Sequence, residues 1–262
     1  MSTTKKWSGL KIRQGILCEI SGRLRILRFL KNQSLHWSGV CLTVFCASCV
    51  TLDEAPLDKH DNLIVLLNPE LGISEHWEHR RLRRGDTTYT QVESALGYTI
   101  QATGNKSASI LFRLFEPTNI GCNTLRWSWY VQKPQPGSEL RAKGKDDVAA
   151  SVFVLFADPG IFYDKPVPTL KYVWANDKHR KGEIIAGPYH KKYIRTVIVR
   201  TGSSVDQGLV IDRANLNDDF LNAFGEARKN GIYGIAIFTD NDDTKEPIVA
   251  HYGKIELLCN IE

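Results

Sequence analysis

Cysteine is scarce beyond the N-terminus. Of six in the chain, Cys18, Cys41, Cys46 and Cys49 lie early, and only Cys122 and Cys259 follow. A small disulfide-dense scaffold is thereby excluded. No pair of Cys-x-x-Cys motifs is present, nor a Gly-x-Ser-x-Gly, a P-loop or a dinucleotide fingerprint. The local signatures of thiolate zinc ribbons, α/β-hydrolases and nucleotide binders are therefore missing. There is no uninterrupted apolar stretch of about 20 residues, which argues against a polytopic membrane protein. Apolar residues make up 42% of the 262 and charged residues 24%, the balance of a soluble globular chain with enough apolar surface for a core.

The net charge of +5 is unevenly placed. Residues 1–48 hold eight of the 34 Lys and Arg and one of the 29 acids, leaving 26 basic and 28 acidic residues beyond them. The excess of positive charge belongs to the tail, so the total charge does not support nucleic-acid binding, which needs its basic charge on the binding face. Basic residues in the tail end at Lys31, and Asn32–Leu52 carries no charge. Within it Val40–Ala47 is apolar, and Ala47-Ser48-Cys49 follows. Small residues ahead of a cysteine resemble a bacterial lipobox, which predicts export and lipidation at Cys49, with an uncleaved anchor as the rival. The basic stretch is long for a signal peptide, which points to a start nearer Leu24–Leu30.

The body reads as strands. Thr88–Val92, Tyr98–Ala102 and Ser109–Phe115 are short and β-rich, with Gly97 and Gly104-Asn105 as turns. Thr124–Gln132 alternates, placing Leu125, Trp127, Trp129 and Val131 on one face. Val148–Phe156 is apolar on both faces, as a central strand would be. Leu170–Ala175, Glu183–Ala186, Tyr193–Thr201, Ile232–Thr239 and Ile248–Leu258 complete the set. One helix is expected over Leu216–Arg228, capped by Asn215 or Asn217, with Asp218 and Asp219 at its positive end and Gly231 as its stop. The pattern predicts an all-β fold: a β-sandwich of jelly-roll (galactose-binding-like) type with one covering α-helix. Residues 1–49 form the tail, 50–75 a lead-in linker, and 76–262 the sandwich domain.

Four groups of residues have chemical potential. Thr239-Asp240-Asn241-Asp242-Asp243-Thr244 sets three carboxylates just after a strand. Such oxygen-rich loops hold Ca²⁺, and Asp240, Asp242 and Asp243 are the expected ligands; the competing possibility is a polar turn bonded to its own backbone. Asp146-Asp147 opens the central strand after Arg141, Lys143 and Lys145. If the two acidic segments meet, their carboxylates can share a metal, or serve as acid and base in glycosidic cleavage; otherwise they pair with the basic loop. His76-Trp77-Glu78-His79 has H-x-x-H spacing, but the arginines that follow repel a cation. Of the tryptophans, Trp127 and Trp129 share a core face, whereas Trp174 precedes a polar loop (Asn176–Gly182) and is the better surface candidate for stacking on a sugar. For Cys122 and Cys259, pairing and free thiols both fit; free thiols are favoured because a domain this long needs no staple.

In order along the chain, Thr87-Thr88-Tyr89, Ser107-Ala108-Ser109, Leu125-Arg126-Trp127-Ser128-Trp129, Asp146-Asp147, Tyr172-Val173-Trp174-Ala175-Asn176, Asp219-Phe220 with Ala223-Phe224-Gly225-Glu226, Thr239-Asp240-Asn241-Asp242 and Tyr252-Gly253 resemble the bacterial domain-of-unknown-function family 3047. The resemblance runs from about Trp77 to Leu257. It implies an exported, β-rich protein of the bacterial envelope and carries no activity with it. Asn241 and Asp243 depart from the family's acidic loop, and Ile211-Asp212-Arg213-Ala214 lacks the acid that the family has ahead of the helix.

The resulting expectation is a non-catalytic envelope module that binds a glycan or similar polar polymer. Trp174 would stack on it, Asp146, Asp147 and Asn176 would bond its hydroxyls, and Asp240, Asp242 and Asp243 would hold Ca²⁺. A polysaccharide-acting enzyme using Asp147 or Asp240, and a structural lipoprotein bound to another envelope protein, are the alternatives. The membrane is reached through the N-terminal segment, and no nucleic acid is expected as a partner.

Overall fold

Alternation of apolar and polar residues along Cys122–Val131 decides the architecture. Leu125, Trp127, Trp129 and Val131 are all buried, while Arg126, Ser128 and Tyr130 between them are half-exposed. A strand with one apolar face must bury it against another layer. In a computed structural model, which describes residues 58–60, 62–83, 85–160, 165–203 and 208–259, that layer is a second sheet. The tail, with Cys49 and its apolar run, lies outside the described residues.

The elements run β1 (Asp58–His60), β2 (Leu63–Leu67), a 3₁₀ turn (Pro69–Leu71), β3 (Glu78–Arg81), β4 (Thr88–Ser94), β5 (Gly97–Gly104), β6 (Ala108–Leu114), β7 (Cys122–Val131) and β8 (Ala150–Leu155). There follow β9 (Thr169–Ala175), β10 (Ile184–Ala186), β11 (Ile194–Thr201), β12 (Val210–Asn215), α1 (Leu216–Phe224), β13 (Gly234–Asp240) and β14 (Ile248–Cys259). The first sheet has seven strands centred on β14, which pairs along one side with β7 and on the other with β5 and β2. The second, also seven-stranded, has the order β10-β11-β9-β8-β13-β6-β3, antiparallel except for β11 beside β9. Two packed sheets with a single helix among the described residues make a β-sandwich.

The layers meet through aromatic rings. Trp127 on β7 lies 5.2 Å from Tyr172 on β9, and Trp129 lies 5.7 Å from Trp174, centroid to centroid. Trp129 Nε1 donates to Asp212 Oδ2 at 2.8 Å, and Arg200 Nε meets the same oxygen at 2.6 Å, so this buried carboxylate is paired on both sides. The helix sets Leu216 and Phe220 into the core, with Phe220 4.9 Å from Phe156.

Several expectations change. Leu63–Leu67, expected in a lead-in linker, is a strand of the first sheet. The helix stops at Phe224, because Gly225 takes the left-handed conformation (φ 78°) and its N–H closes on Leu221 O. Asn215 is the N-cap: its side chain accepts from Asn217 N and Asp218 N. Cys122 and Cys259 face each other on β7 and β14 and form a disulfide across 137 residues, where free thiols were favoured. A closure of that length stabilises a fold by typically about 2–4 kcal/mol.

Candidate functional site

At one end of the sandwich, β13 hands over to the acidic loop and the 132–149 segment enters β8. Asp240 ends β13, and its backbone and side chain both engage Val148: Asp240 N donates to Val148 O at 3.0 Å, and Val148 N donates to Asp240 Oδ1 at 2.7 Å. These bonds bring the two acidic segments together. Asp147, 1% exposed, then holds the loop from below. Its Oδ1 accepts from Asp243 N at 3.3 Å, and its Oδ2 accepts from Thr244 N and Thr244 Oγ1, both at 2.6 Å. Asn241 is fully buried and ties the other flank, accepting from Ser107 N at 2.9 Å and donating to Gly104 O and Glu246 O. The loop is thus fastened mainly to distant segments, by Asp147 from outside it and by Asn241 to Ser107 and Gly104, rather than by the local backbone bonds of a simple polar turn; of these bonds only Asn241–Glu246 is local.

That construction leaves three carboxylates together. Asp147, Asp242 and Asp243 each place one oxygen within 4.8 Å of the others, a donor set that can coordinate a metal ion. The expected set was Asp240, Asp242 and Asp243. Asp240 is outside this group: it is spent on Val148 N, and Asp147 takes its place. Arg83 approaches from the loop after β3, with Nη1 3.5 Å from Asp242 and 3.4 Å from Asp243, while its guanidinium lies 5.1 Å from the Tyr189 ring centroid. Lys143 sits 5.5 Å from the same ring.

The outer face of the second sheet runs away from this end. Strand alternation and register place Phe112, Ala236, Phe153, Lys171 and Thr196 in one row across it. Phe238 and Asp240 follow Ala236 along β13. Leu140 and Val148 cover the upper part of the face, packing with Val173, Ala175, Ile185, Ile198 and Phe238. Phe153 and Lys171 stay half-exposed. The Lys171 ammonium lies 5.4 Å from the Phe153 centroid and 5.3 Å from that of Phe238. Neither residue was singled out from sequence. The signal was there, in a β8 apolar on both faces, but it read only as a buried central strand.

Two expected ligand residues are structural. Trp174 is 3% exposed, packs on Trp129 and donates from Nε1 to Gly202 O at 2.7 Å. Its neighbours along β9 alternate normally, and its even position points it between the sheets beside Tyr172. It cannot stack on a ligand. Asn176, 8% exposed, donates to Gln135 O and Ser138 O and so fastens the 132–149 segment. His79 stands on β3, with Nε2 2.9 Å from Ser109 Oγ, and forms no metal cluster among the described residues.

Burial dominates the acid–base behaviour here. It pushes the Asp240 carboxyl well above the usual carboxylate range, with the Lys171 ammonium opposing and Asp147 and Asp146 adding to the rise. Asp146 is raised by burial too, again opposed by Lys171. Asp242 is raised by burial and by Asp243, against Arg83. Acids raised in the folded state favour folding fully below their unfolded pKa of about 4, and that contribution fades as pH rises through the folded values. These three acids should therefore pull stability down from mild acid toward neutrality, against the buried His179 and the half-buried His251, whose lowered pKa acts the other way. Asp240→Asn, which keeps an acceptor for Val148 N, should flatten that decline; melting curves of the two proteins across pH 4–8 check it, and equal slopes would contradict it.

No curated protein matches this chain in sequence closely enough to show kinship. Solved structures give remote likenesses. The Endo-D glycoside hydrolase domain from Streptococcus pneumoniae R6 is 9% identical over 71% of this chain, with a TM-score of 0.35, and the chain spans only 22% of it. The family 11 carbohydrate-binding module from Clostridium thermocellum, solved with a β-1,3-1,4-mixed-linked tetrasaccharide, is 7% identical over 78% of this chain and 99% of its own, with a TM-score of 0.39. The carbohydrate recognition domain of Emp47p is 11% identical over 78% and 99%, with a TM-score of 0.43. Among the described residues no helix is long and apolar enough to cross a membrane. The sequence motifs from Trp77 onward agree with a family model, described as a protein of unknown function (DUF3047), that matches residues 75–256, and the chain belongs to that family.

Proposed function

We propose that this protein is an exported binding module for a glycan or similar polar polymer, built on a sandwich of the jelly-roll type. The observation that carries the proposal is a juxtaposition. Three carboxylates gather within 4.8 Å at one end of the sandwich, and the half-exposed Phe153 and Lys171 lie on the sheet face that leads from it. Carboxylates bond sugar hydroxyls, and an aromatic side chain packs on the apolar face of a sugar ring. In this proposal Asp147, Asp242 and Asp243 hold Ca²⁺, a hard cation that takes oxygen ligands and fills its remaining positions from water or from the glycan itself. Asp147 already fixes the loop through three hydrogen bonds, so the ion would tune the site rather than build it.

The same bonds weigh against an enzyme that uses Asp147 and Asp240 as acid and base, since both are committed to backbone N–H groups. Export is supported by the Cys122–Cys259 disulfide, which persists in oxidising compartments. Delivery by the N-terminal segment, with lipidation at Cys49, belongs to the same proposal.

The test is a thermal-shift and glycan-binding series on the full chain, with Ca²⁺ and with EDTA, against the Asp242→Asn/Asp243→Asn variant. At about 100 times its Kd, Ca²⁺ should add about 2.7 kcal/mol, a rise in Tm of roughly 5–10 °C. The variant should lose that rise. Glycan binding that persists in EDTA with no Tm response would remove the ion and keep the module. A protein that binds no glycan under either condition would contradict the proposal.

A further inference from the structure

Among the described residues, two buried side-chain polar atoms have no hydrogen-bond partner, and one of them is Asp146 Oδ1. A buried carboxylate oxygen left unpaired is destabilising, so such atoms are uncommon and ask for an explanation. Lys171 presents the complementary deficit. Its ammonium carries three donors and no acceptor, yet its contacts are the two phenyl rings of Phe153 and Phe238, with no ion pair to a carboxylate within 4 Å among the described residues. Asp146 stands two residues before Val148, which shares a packed cluster with Phe238, and the Lys171 ammonium lies 5.3 Å from that same ring, so both side chains belong to one part of the outer face. They therefore stand as an acceptor with one unpartnered oxygen and a donor without an ion pair among the described residues, beside a half-exposed phenyl ring on the sheet face. Asp146 is itself half-buried, and rotation about its terminal torsion exchanges its two oxygens at little cost.

We propose that Asp146 and Lys171 form a subsite for adjacent hydroxyls of a neutral pyranose, one hydroxyl donating to the Asp146 carboxylate and its neighbour accepting from Lys171 Nζ, with Phe153 against the ring's C–H face. The inference rests on the glycan proposal and narrows it. A hydroxyl pair is the chemistry that fits. It offers a donor and an acceptor on neighbouring carbons, as the two side chains require. An anionic sugar would satisfy Lys171 but would meet Asp146, Asp240 and Asp243 on the same side of the fold. A cationic one would be repelled by Lys171.

The experiment uses the full chain with cellotetraose, xylotetraose, chitotetraose and a tetragalacturonate as probes, titrated calorimetrically. Lys171→Met keeps an unbranched side chain over the phenyl rings, and Asp146→Asn keeps the shape of the carboxyl. Each variant should weaken binding of the neutral probes at least tenfold while its Tm stays within a few degrees of wild type. In the wild-type protein, the bound oligosaccharide should protect Lys171 from reductive methylation, read by mass spectrometry, which tests the contact even if a variant fails to fold. Neutral probes bound equally well by all three proteins, with Lys171 unprotected, would overturn the subsite and leave the module standing. Binding of the tetragalacturonate alone, lost in Lys171→Met and strengthened in Asp146→Asn, would overturn it in favour of an anion site. Binding of none of the probes by the wild type would overturn both proposals together.

Discussion

Alanine at position 231 should cost on the order of 4 kcal/mol or more, a large share of the roughly 5–15 kcal/mol that holds an ordinary domain folded. Gly231 is buried where the chain enters β13, and its backbone runs hard against the loop before β7. A Cβ there would lie 1.7 Å from Thr118 O and 2.6 Å from the same carbonyl carbon, both backbone atoms. The neighbouring bonds hold the two segments together: Thr118 N donates to Ile232 O at 3.0 Å, and Ile232 N donates to Thr118 Oγ1 at 3.1 Å. Relief would need one segment to move away and break both. Gly187 is the control, since a Cβ there meets nothing within 4 Å. Gly187→Ala should stay within about 0.5 kcal/mol of wild type. Urea unfolding of the pair checks the contrast, and a Gly231→Ala protein of near-native stability would contradict the packing described.

Trp174→Ala comes next, at about 3–5 kcal/mol, the range for deleting a buried aromatic side chain. The ring fills space between the sheets against Trp129, the Arg200 guanidinium lies 5.6 Å from its centroid, and its N–H is spent on Gly202 O. The substitution leaves a large cavity and an orphaned carbonyl. Loss of glycan binding in that variant would accordingly report unfolding, and its melting temperature should show this directly. Phe153→Ala is the informative counterpart: half-exposed on the outer face, it should weaken binding with a smaller loss of stability.

These two positions show where sequence patterns inform and where they stop. The Leu125–Val131 alternation is a one-face strand, and it reads correctly because every inward residue is apolar. β12 has the same alternation, but one inward residue is Asp212, whose charge is answered by Trp129 and Arg200 from distant strands. Nothing local announces that pairing, so the strand was missed. Gly231 looked like a helix stop, because a glycine after a helical pattern often is one. Gly225 does that work, and Gly231 is needed for a close approach to a segment more than a hundred residues earlier. Trp174 and Phe153 fail for a shared reason. β8 is apolar on both faces, and the outer face of β9 turns apolar at Val173 and Ala175, since loop residues such as Leu140 cover part of the second sheet from outside. Periodicity then cannot tell the inner face from the outer one.

The acidic end was legible in part. Both acidic segments flank strands of one sandwich, which allows them to meet, and they do meet. Which carboxylates would be spent on backbone N–H groups was not legible, because it depends on the register of Val148 against Asp240. Asp147 therefore stands in the carboxylate group where Asp240 was expected, and Asp240 is spent on Val148 N.

The most direct test is to locate the ligand. In an isotope-labelled sample titrated with whichever oligosaccharide binds, backbone amide shifts should cluster at Asp146, Phe153, Lys171 and Asp242–Thr244, one contiguous patch at the end and outer face of the second sheet. Shifts confined to the first sheet, around Tyr130 and His251, or spread without focus over the surface, would contradict the account.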